Sequence, residues 1–344
     1  MQQPYSKRRQ RWWLYAPLLL VGLLATAWSG LWFYAAQHVE STIALWIERE
    51  AKADRVYACG SRTVGGYPFR IEMRCNAPRA ELRANGAPLV LQGRLLLAVA
   101  QVYQPDLVIA EVTGPVAIAT GSGAPEYSAD WALLQLSLRG LPWAFERVSL
   151  VLDDPKLQRT GVAEPLLQAK RFELHARPGA ERTSPVFDLA ANAAAVLVGG
   201  APRLAGRPIE AEATAVLRGV NDLSPKPLPE RLRDWQAAGG KLQLTNARLR
   251  QGEAVAVIKG DIGLTAQARL DGNFRVTMAG LEQLLAQLLG IGGSNSQAAI
   301  LAGLTMLAAR DELEGKRAIS LPLRFKDGAV FFGPLPLGQT APLY

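Results

Sequence analysis

From Trp12 to Gln37 the chain runs 26 residues without a charged side chain (WWLYAPLLLVGLLATAWSGLWFYAAQ). A helix needs only about 20 residues, at roughly 1.5 Å each, to cross the hydrocarbon core of a bilayer. The run is therefore read as a transmembrane signal-anchor helix over 12–37. Trp12, Trp13 and Tyr15 mark one end and Trp32, Phe33 and Tyr34 the other, as expected of aromatic side chains that settle at the two lipid–water interfaces. Ahead of it, residues 1–11 carry Lys7, Arg8, Arg9 and Arg11, and the first acidic residue is Glu40. This basic tip is expected to stay in the cytoplasm, with everything after about residue 37 across the membrane. Pro17 falls in the first turns, where its missing N–H costs little. A cleaved secretory signal is the competing reading, with an apolar stretch from Leu14 to Leu24 and a small-x-small site at Ala25-Thr26-Ala27. Both readings export the rest of the chain.

The net charge of +8 points first to nucleic acid, and its distribution removes that reading. Taking the four charges of the tip from the 38 Lys and Arg leaves 34 against 30 acidic residues, with no basic face or aromatic-interleaved basic stripe. A composition of 49% hydrophobic and 20% charged residues over 344 positions is too apolar for disorder and too polar for a polytopic membrane protein.

Residues 38–54 (HVESTIALWIEREAKAD) read as a juxtamembrane helix continuing the span, which either offers an interfacial or partner-binding face or packs its apolar stripe on the following domain. Beyond Tyr57 the pattern shifts to period two between Gly, Pro, Asn and Asp breakers. Strands are predicted over 56–64, 69–75, 89–103, 107–113, 116–120, 133–138, 145–152, 166–176, 186–198 and 209–217. This makes 55–218 a first β-rich subregion. A Pro/Gly-rich connector with a short helix at 229–238 covers 219–240, and 241–344 forms a second β subregion. Its predicted strands are 241–250, 254–259, 262–270 and 274–278, then 318–325 and 329–332, with Asp271-Gly272 and Asp327-Gly328 as two-residue hairpin turns. Two amphipathic helices lie between. One carries Leu281, Leu284, Leu285, Leu288 and Leu289 on one face, and the other runs from about Ser296 to Leu313. The expected class is α+β, β-rich: an exported domain with a long curved antiparallel sheet and a few covering helices. Small Ala and Gly residues on several strands either admit closely packed helices or leave a lipid-type groove open.

Cys59 and Cys75 bracket Gly65-Gly66-Tyr67-Pro68, a reversal signal whose centre, Tyr67, is also the midpoint between them. Symmetric pairing around that tip puts the cysteines opposite each other, and export favours a structural disulfide over a redox pair, since there is no C-x-x-C. The segment Val64-Gly65-Gly66-Tyr67-Pro68-Phe69-Arg70, after a membrane helix and between two cysteines, resembles an uncharacterised bacterial envelope family, the domain of unknown function 2125. The strands GKLQLTNARL and LPLRFKDGAVFFGPLPLG are similar to its C-terminal part. The resemblance implies architecture and location, and brings no activity or catalytic residue. The order of strands followed by the LEQLL helix is also similar to AsmA-like envelope proteins, which implies lipid transport or outer-membrane biogenesis.

Chemistry is sparse. His38 lies beside the span and His175 alternates with Phe172 and Leu174 as a solvated strand residue; there is no G-x-S-x-G, Walker loop or H-E-x-x-H. Gly121-Ser122-Gly123 and Asp153-Asp154-Pro155 read as turns. No catalytic residue, metal site or cofactor is assigned, and a paired-carboxylate hydrolase remains an alternative because spatial pairing is invisible in sequence. The expectation is a non-catalytic protein of the inner membrane and periplasm that binds a lipid or an envelope partner, with Leu281, Leu284, Leu285, Leu288 and Leu289 as a groove cover. A scaffold that acts through its helix and strand edges is a further alternative.

Overall fold

The computed structural model describes residues 12–83, 88–121, 123–140, 145–179, 186–199, 208–222, 228–280 and 309–344. The predicted helix at 281–290 and most of the one at 296–313 lie outside these residues, as does the basic tip 1–11. Residues 309–313, predicted as the end of that second helix, form a strand instead.

Helix α1, Trp12–Ala51, is one continuous rod that joins the predicted span to the predicted juxtamembrane helix. At 40 residues it is about 60 Å long, twice a bilayer core. Its exposure divides it in two. Leu18, Leu19, Val21, Leu23 and Leu24 are exposed, whereas Trp28, Trp32, Ala36, Val39, Ile43, Ile47 and Glu50 form a covered stripe at spacings of three and four. That stripe lies against the first strands, where Glu50 accepts a 2.5 Å hydrogen bond from Arg55, and beside it the exposed Trp46 stacks on Tyr57 at 4.9 Å. The juxtamembrane segment therefore packs on its own domain. Asp54, at a φ of 58°, ends the helix and turns the chain into strand.

The strands run antiparallel in an almost unbroken meander, folded along one line. Arg55–Ala58 (β1), Arg79–Leu82 (β4), Leu89–Gln92 (β5), Val116–Thr120 (β8), Tyr127–Asp130 (β9), Lys156–Arg159 (β12) and Pro165–Gln168 (β13) pair in that order as a sheet of short strands. Ser61–Gly65 (β2), Arg70–Asn76 (β3), Leu95–Gln101 (β6), Gln104–Thr113 (β7), Leu133–Arg139 (β10), Arg147–Asp153 (β11), Arg171–Pro178 (β14) and Val186–Val198 (β15) form the first half of a longer sheet. It continues through Ile209–Arg218 (β16), Lys241–Gln251 (β17), Ala254–Leu264 (β18), Leu270–Ala279 (β19) and Lys316–Lys326 (β21). The far edge of β21 takes Ala309–Leu313 (β20) and Ala329–Phe332 (β22), and Leu335–Gln339 (β23) closes the series. β13 joins the two sheets by pairing with the end of β15. Helix α2, Leu228–Ala237, sits in the β16–β17 connection, while Arg218 and Lys241 remain paired across it, so the sheet runs through 219–240 without interruption.

Each passage between the two sheets is a two-residue corner: Cys59-Gly60, Ala77-Pro78, Gly93-Arg94, Gly114-Pro115, Trp131-Ala132, Asp154-Pro155 and Ala169-Lys170. Corners hydrogen-bond to their neighbours, as in Ala77 N–H to Arg94 O at 2.9 Å, Gly93 N–H to Pro78 O at 2.9 Å and Asp154 N–H to Lys170 O at 2.9 Å. They therefore align in a crease. A Cβ on Gly93 would stand 3.2 Å from Pro78 Cγ and 3.5 Å from Val116 Cγ2, which leaves little room there for a larger residue.

These corners correct several sequence assignments. The predicted strands 56–64, 89–103 and 166–176 are each two strands broken at a corner, because period-two alternation does not register a two-residue bend. The predicted 254–259 and 262–270 strands are the single strand β18 followed by a turn at Thr265–Arg269. Asp271-Gly272 lies inside β19 rather than in that turn. Gly272 is required by close approach: its Cβ would lie 2.2 Å from Asp261 O. At Asp327-Gly328 the hairpin is as predicted, with both residues at positive φ.

Cys59 and Cys75 are disulfide-bonded, with Cα atoms 5.4 Å apart. They are not opposite each other in the ladder, however. Cys75 pairs with Arg62, and Cys59 sits in the first corner, so the bond ties that corner to β3. The chain-entropy argument assigns roughly 3 kcal/mol to a loop of this size. The double variant Cys59→Ser/Cys75→Ser is expected to lose about that much in denaturant unfolding followed by strand-signal circular dichroism. An unchanged midpoint would show that the crease holds without the bond.

Candidate functional site

Residues opposite each other in an antiparallel ladder share a face, and successive residues alternate faces. Followed across the long sheet, this rule produces one unbroken row: Val64, Met73, Ala98, Ala110, Leu136, Leu150, Leu174, Ala191, Ala213, Ala247, Ile258, Val276 and Leu321. The rung on its corner side, from Cys75 and Leu96 through Leu152, Phe172 and Ala193 to Met278 and Ile319, is apolar throughout. So is the rung on the other side, from Ile71 and Ala100 through Leu138, Val148 and Leu189 to Phe274 and Leu323. Between β3 and β21 these three rungs hold no polar side chain. At strand spacings of about 4.8 Å, and about 3.3 Å per residue along a strand, the strip is roughly 13 Å wide and about 53 Å long.

A packed core would bury such a strip. Here, from β6 to β18, every one of its side chains remains partly exposed and none is buried, with Leu249 at 39%. Burial is confined to the ends, at Cys75, Val276 and Leu321. Bulk is graded along it: Leu136, Leu150 and Leu174 give way to Ala191, Ala213 and Ala247 at the centre before Ile258 and Val276. Ala98 and Ala110 make a second stretch of small side chains near the start of the row.

The opposite face carries the charges. Arg171 pairs with Asp153 and Glu173, each at 2.6 Å, Arg177 with Asp188 at 3.3 Å, and Arg248 with Glu314 at 2.6 Å and Glu212 at 3.8 Å. His175 stands 3.6 Å from Glu173 on this face. A cleft of about 350 Å³ gathers Arg171, Glu173, Asn192, Glu210, Glu212, Arg248 and Arg250. Two carboxylates at this cleft favour the charged form: the hydrogen bond from Arg171 lowers the pKa of Glu173, which lines it, and that from Arg248 lowers Glu314 beside it. A general acid requires the opposite shift. Among the described residues no group of three or more His, Cys, Asp and Glu is placed to hold a metal.

The second feature is the β2–β3 hairpin and the helix it touches. Gly66 turns the chain at a φ of 99°, and a Cβ there would lie 2.7 Å from Arg70 O. Tyr67-Pro68 is cis. The loop docks on α1 through two indoles one helical turn apart: Trp28 donates to Pro68 O and Trp32 to Arg70 O, each at 2.8 Å. Ser29 Oγ and the Tyr67 hydroxyl lie 2.8 Å apart, and Tyr67 packs edge-on against Trp32 and stacked with Phe33. Gly65 and Gly66 shape the turn, while Tyr67, Pro68, Phe69 and Arg70 meet the helix.

Among the predicted interface aromatics, Tyr15, Phe33 and Tyr34 are exposed and Trp32 is buried at 5% against this hairpin. Trp12 and Trp13 begin the helix. Lys7, Arg8, Arg9 and Arg11, and Leu281, Leu284, Leu285, Leu288 and Leu289, lie outside the described residues. Sequence reasoning missed Trp28 and Ser29. The Trp28–Trp32 spacing of four was the signal, because it puts both indoles on one helix face.

The fold and its two features define a strand-rich protein whose creased antiparallel sheet is docked on one long apolar helix. Its residues 32–341 match the family described as an uncharacterized protein conserved in bacteria, DUF2125, and the chain belongs to that family. No curated protein matches it.

The partial exposure of the strip has a measurable consequence. Leu150→Ala is expected to cost less than about 2 kcal/mol in unfolding, below the 2–5 kcal/mol range of buried leucines. A cost above about 3 kcal/mol would mean that the strip is closed core.

Proposed function

We propose that this is a non-catalytic, membrane-anchored protein of the bacterial envelope that binds the acyl chains of lipid along its apolar strip. The supporting observation is the strip itself: three rungs without a polar atom on their side chains, continuous across the long sheet and partly exposed through its middle. Water is a poor partner for such a surface, and apolar patches of more than a few hundred Å² on a monomer mark interaction sites. A surface without charges or hydrogen-bonding side chains selects for hydrocarbon, and its length suits a flexible chain better than a compact ligand. Charge on the opposite face keeps that side in water.

Helix α1 is long and apolar enough to cross a membrane. In this reading it stays uncleaved in the inner membrane, the basic tip holds its start in the cytoplasm, and the sheet stands in the periplasm. Cleavage after Ala27 would leave every helix–hairpin contact in place, since these begin at Trp28. Intact mass of the protein isolated from membranes therefore decides the point: full length is expected, and a chain beginning at Trp28 would refute the anchor.

Lipid is expected in organic extracts of the full-length protein purified in a mild detergent. Ala191→Glu/Ala213→Glu, which puts two carboxylates on the alanine-lined centre of the strip, is expected to lower that lipid at least tenfold while the circular dichroism spectrum holds. Equal lipid in both proteins would refute binding on the strip. Stoichiometric protein without lipid would favour a scaffold, for which β23 offers an edge with Leu337 63% exposed.

A further inference from the structure

The docked hairpin fixes where the sheet stands relative to the bilayer. Trp28 opens the covered stripe of α1 sixteen residues after Trp12, about 24 Å along the axis, whereas the hydrocarbon core is about 30 Å thick. A helix that fills the core from Trp12 therefore carries Trp28 and Trp32 at the core's outer margin. Pro68 and Arg70, bonded to those indoles, sit at the same depth.

We propose that the ends of the β2–β3 and β6–β7 hairpins form a rim inserted in the outer leaflet margin, whose partner is the lipid surface around α1. This rests on reading α1 as an uncleaved span. Three aromatic side chains stand on the rim, each more than half exposed: Tyr67 at 53%, Phe69 at 62% and Tyr103 at 66%. Val102 N–H donates to Phe69 O at 3.0 Å, which locks the two hairpin ends side by side. Aromatic side chains with an apolar body favour this depth, and the Tyr67 hydroxyl is already paired with Ser29. Charges bound the rim on the far side of β7: Arg139, at the β10–β11 hairpin, pairs with Asp106 of β7 at 3.7 Å and with Glu146 at 3.5 Å, charges that belong in water or headgroups. Immediately above the rim the apolar strip begins, at Ile71 and Ala100. An acyl chain leaving the bilayer between the two hairpins thus meets hydrocarbon-like surface without crossing water.

The test uses full-length protein in vesicles of phosphatidylethanolamine and phosphatidylglycerol, with a benzophenone amino acid replacing Tyr103 or, as the control, Val162 at the β12–β13 turn. After irradiation, lipid adducts measured by mass are expected to be at least about fivefold more abundant at 103 than at 162, as for a side chain held in the interface. Equal or lower yield at 103 would overturn the rim. The comparison is repeated in the Ala191→Glu/Ala213→Glu background. Adducts at 103 that persist there come from the bilayer and support the rim; adducts that vanish come from lipid on the strip and refute it. Loss of strip lipid and loss of rim contact are thereby read separately.

Discussion

The molecule depends on antiparallel register. A slip of one residue between any two strands would send the apolar set of one of them to the charged face, and the carboxylates and guanidiniums of the other face into the strip. Along thirteen strands this does not happen, although β15 carries a bulge between Ala193 and Val196 and β17 carries one at Thr245, against both β16 and β18. Each bulge absorbs extra residues and restores the phase on the far side, so that Ala215 meets Leu244 and Ala247 meets Ile258 on the same face. Ion pairs between neighbouring strands, such as Arg171 with Asp153 and Lys241 with Asp261, hold the other face to the same register. Individually such exposed pairs contribute little. They act mainly against slips, since a shifted strand would set like charges opposite each other.

The crease is the second constraint, and it explains which parts of the fold were legible. Mostly apolar strands between strong breakers, such as Val116–Thr120 and Val186–Val198, are read from sequence with their observed ends. Where the chain bends without a loop, the reading fails. Gln168 and Arg171 are separated only by Ala169-Lys170, and neither residue is a turn former, so β13 and β14 read as one run. The bend there is set by neighbours, through Ala169 N–H to Pro155 O and Lys170 N–H to Ala194 O. Those bonds join positions far apart in sequence and leave no local signature. Short strands with charged residues, such as Lys156–Arg159 and Arg79–Leu82, escape notice for a related reason: their partners, not their own propensity, make them strands.

The candidate site was legible in its parts and not in its arrangement. Alanines in β15 to β17 stand out in the sequence, and so does the aromatic end of the uncharged run. That the alanines form the middle of a continuous surface follows from pairing order, which a single sequence does not state. The Tyr67-Pro68 turn reads equally as a loop shaped for itself or as a contact; the structure makes it both, since the indoles of Trp28 and Trp32 take two of its carbonyls. Those carbonyls would otherwise need water, so the loop is completed by the helix.

This pairing also fixes how the apolar surfaces of the molecule relate. A long sheet with an uncharged face is a hazard in water, because it invites aggregation with other copies. Here one end of that face begins beside a helix with its own bare apolar surface, from Leu18 to Leu24. The hairpin welds the two by its indole hydrogen bonds, so neither can turn away from the other. The bare helix is accounted for by a bilayer, in the reading favoured above. Under that reading, a surface rigidly attached at that level meets the bilayer close by, because the Trp28 and Trp32 contacts and the start of the strip fall within one hairpin, between Gly65 and Met73.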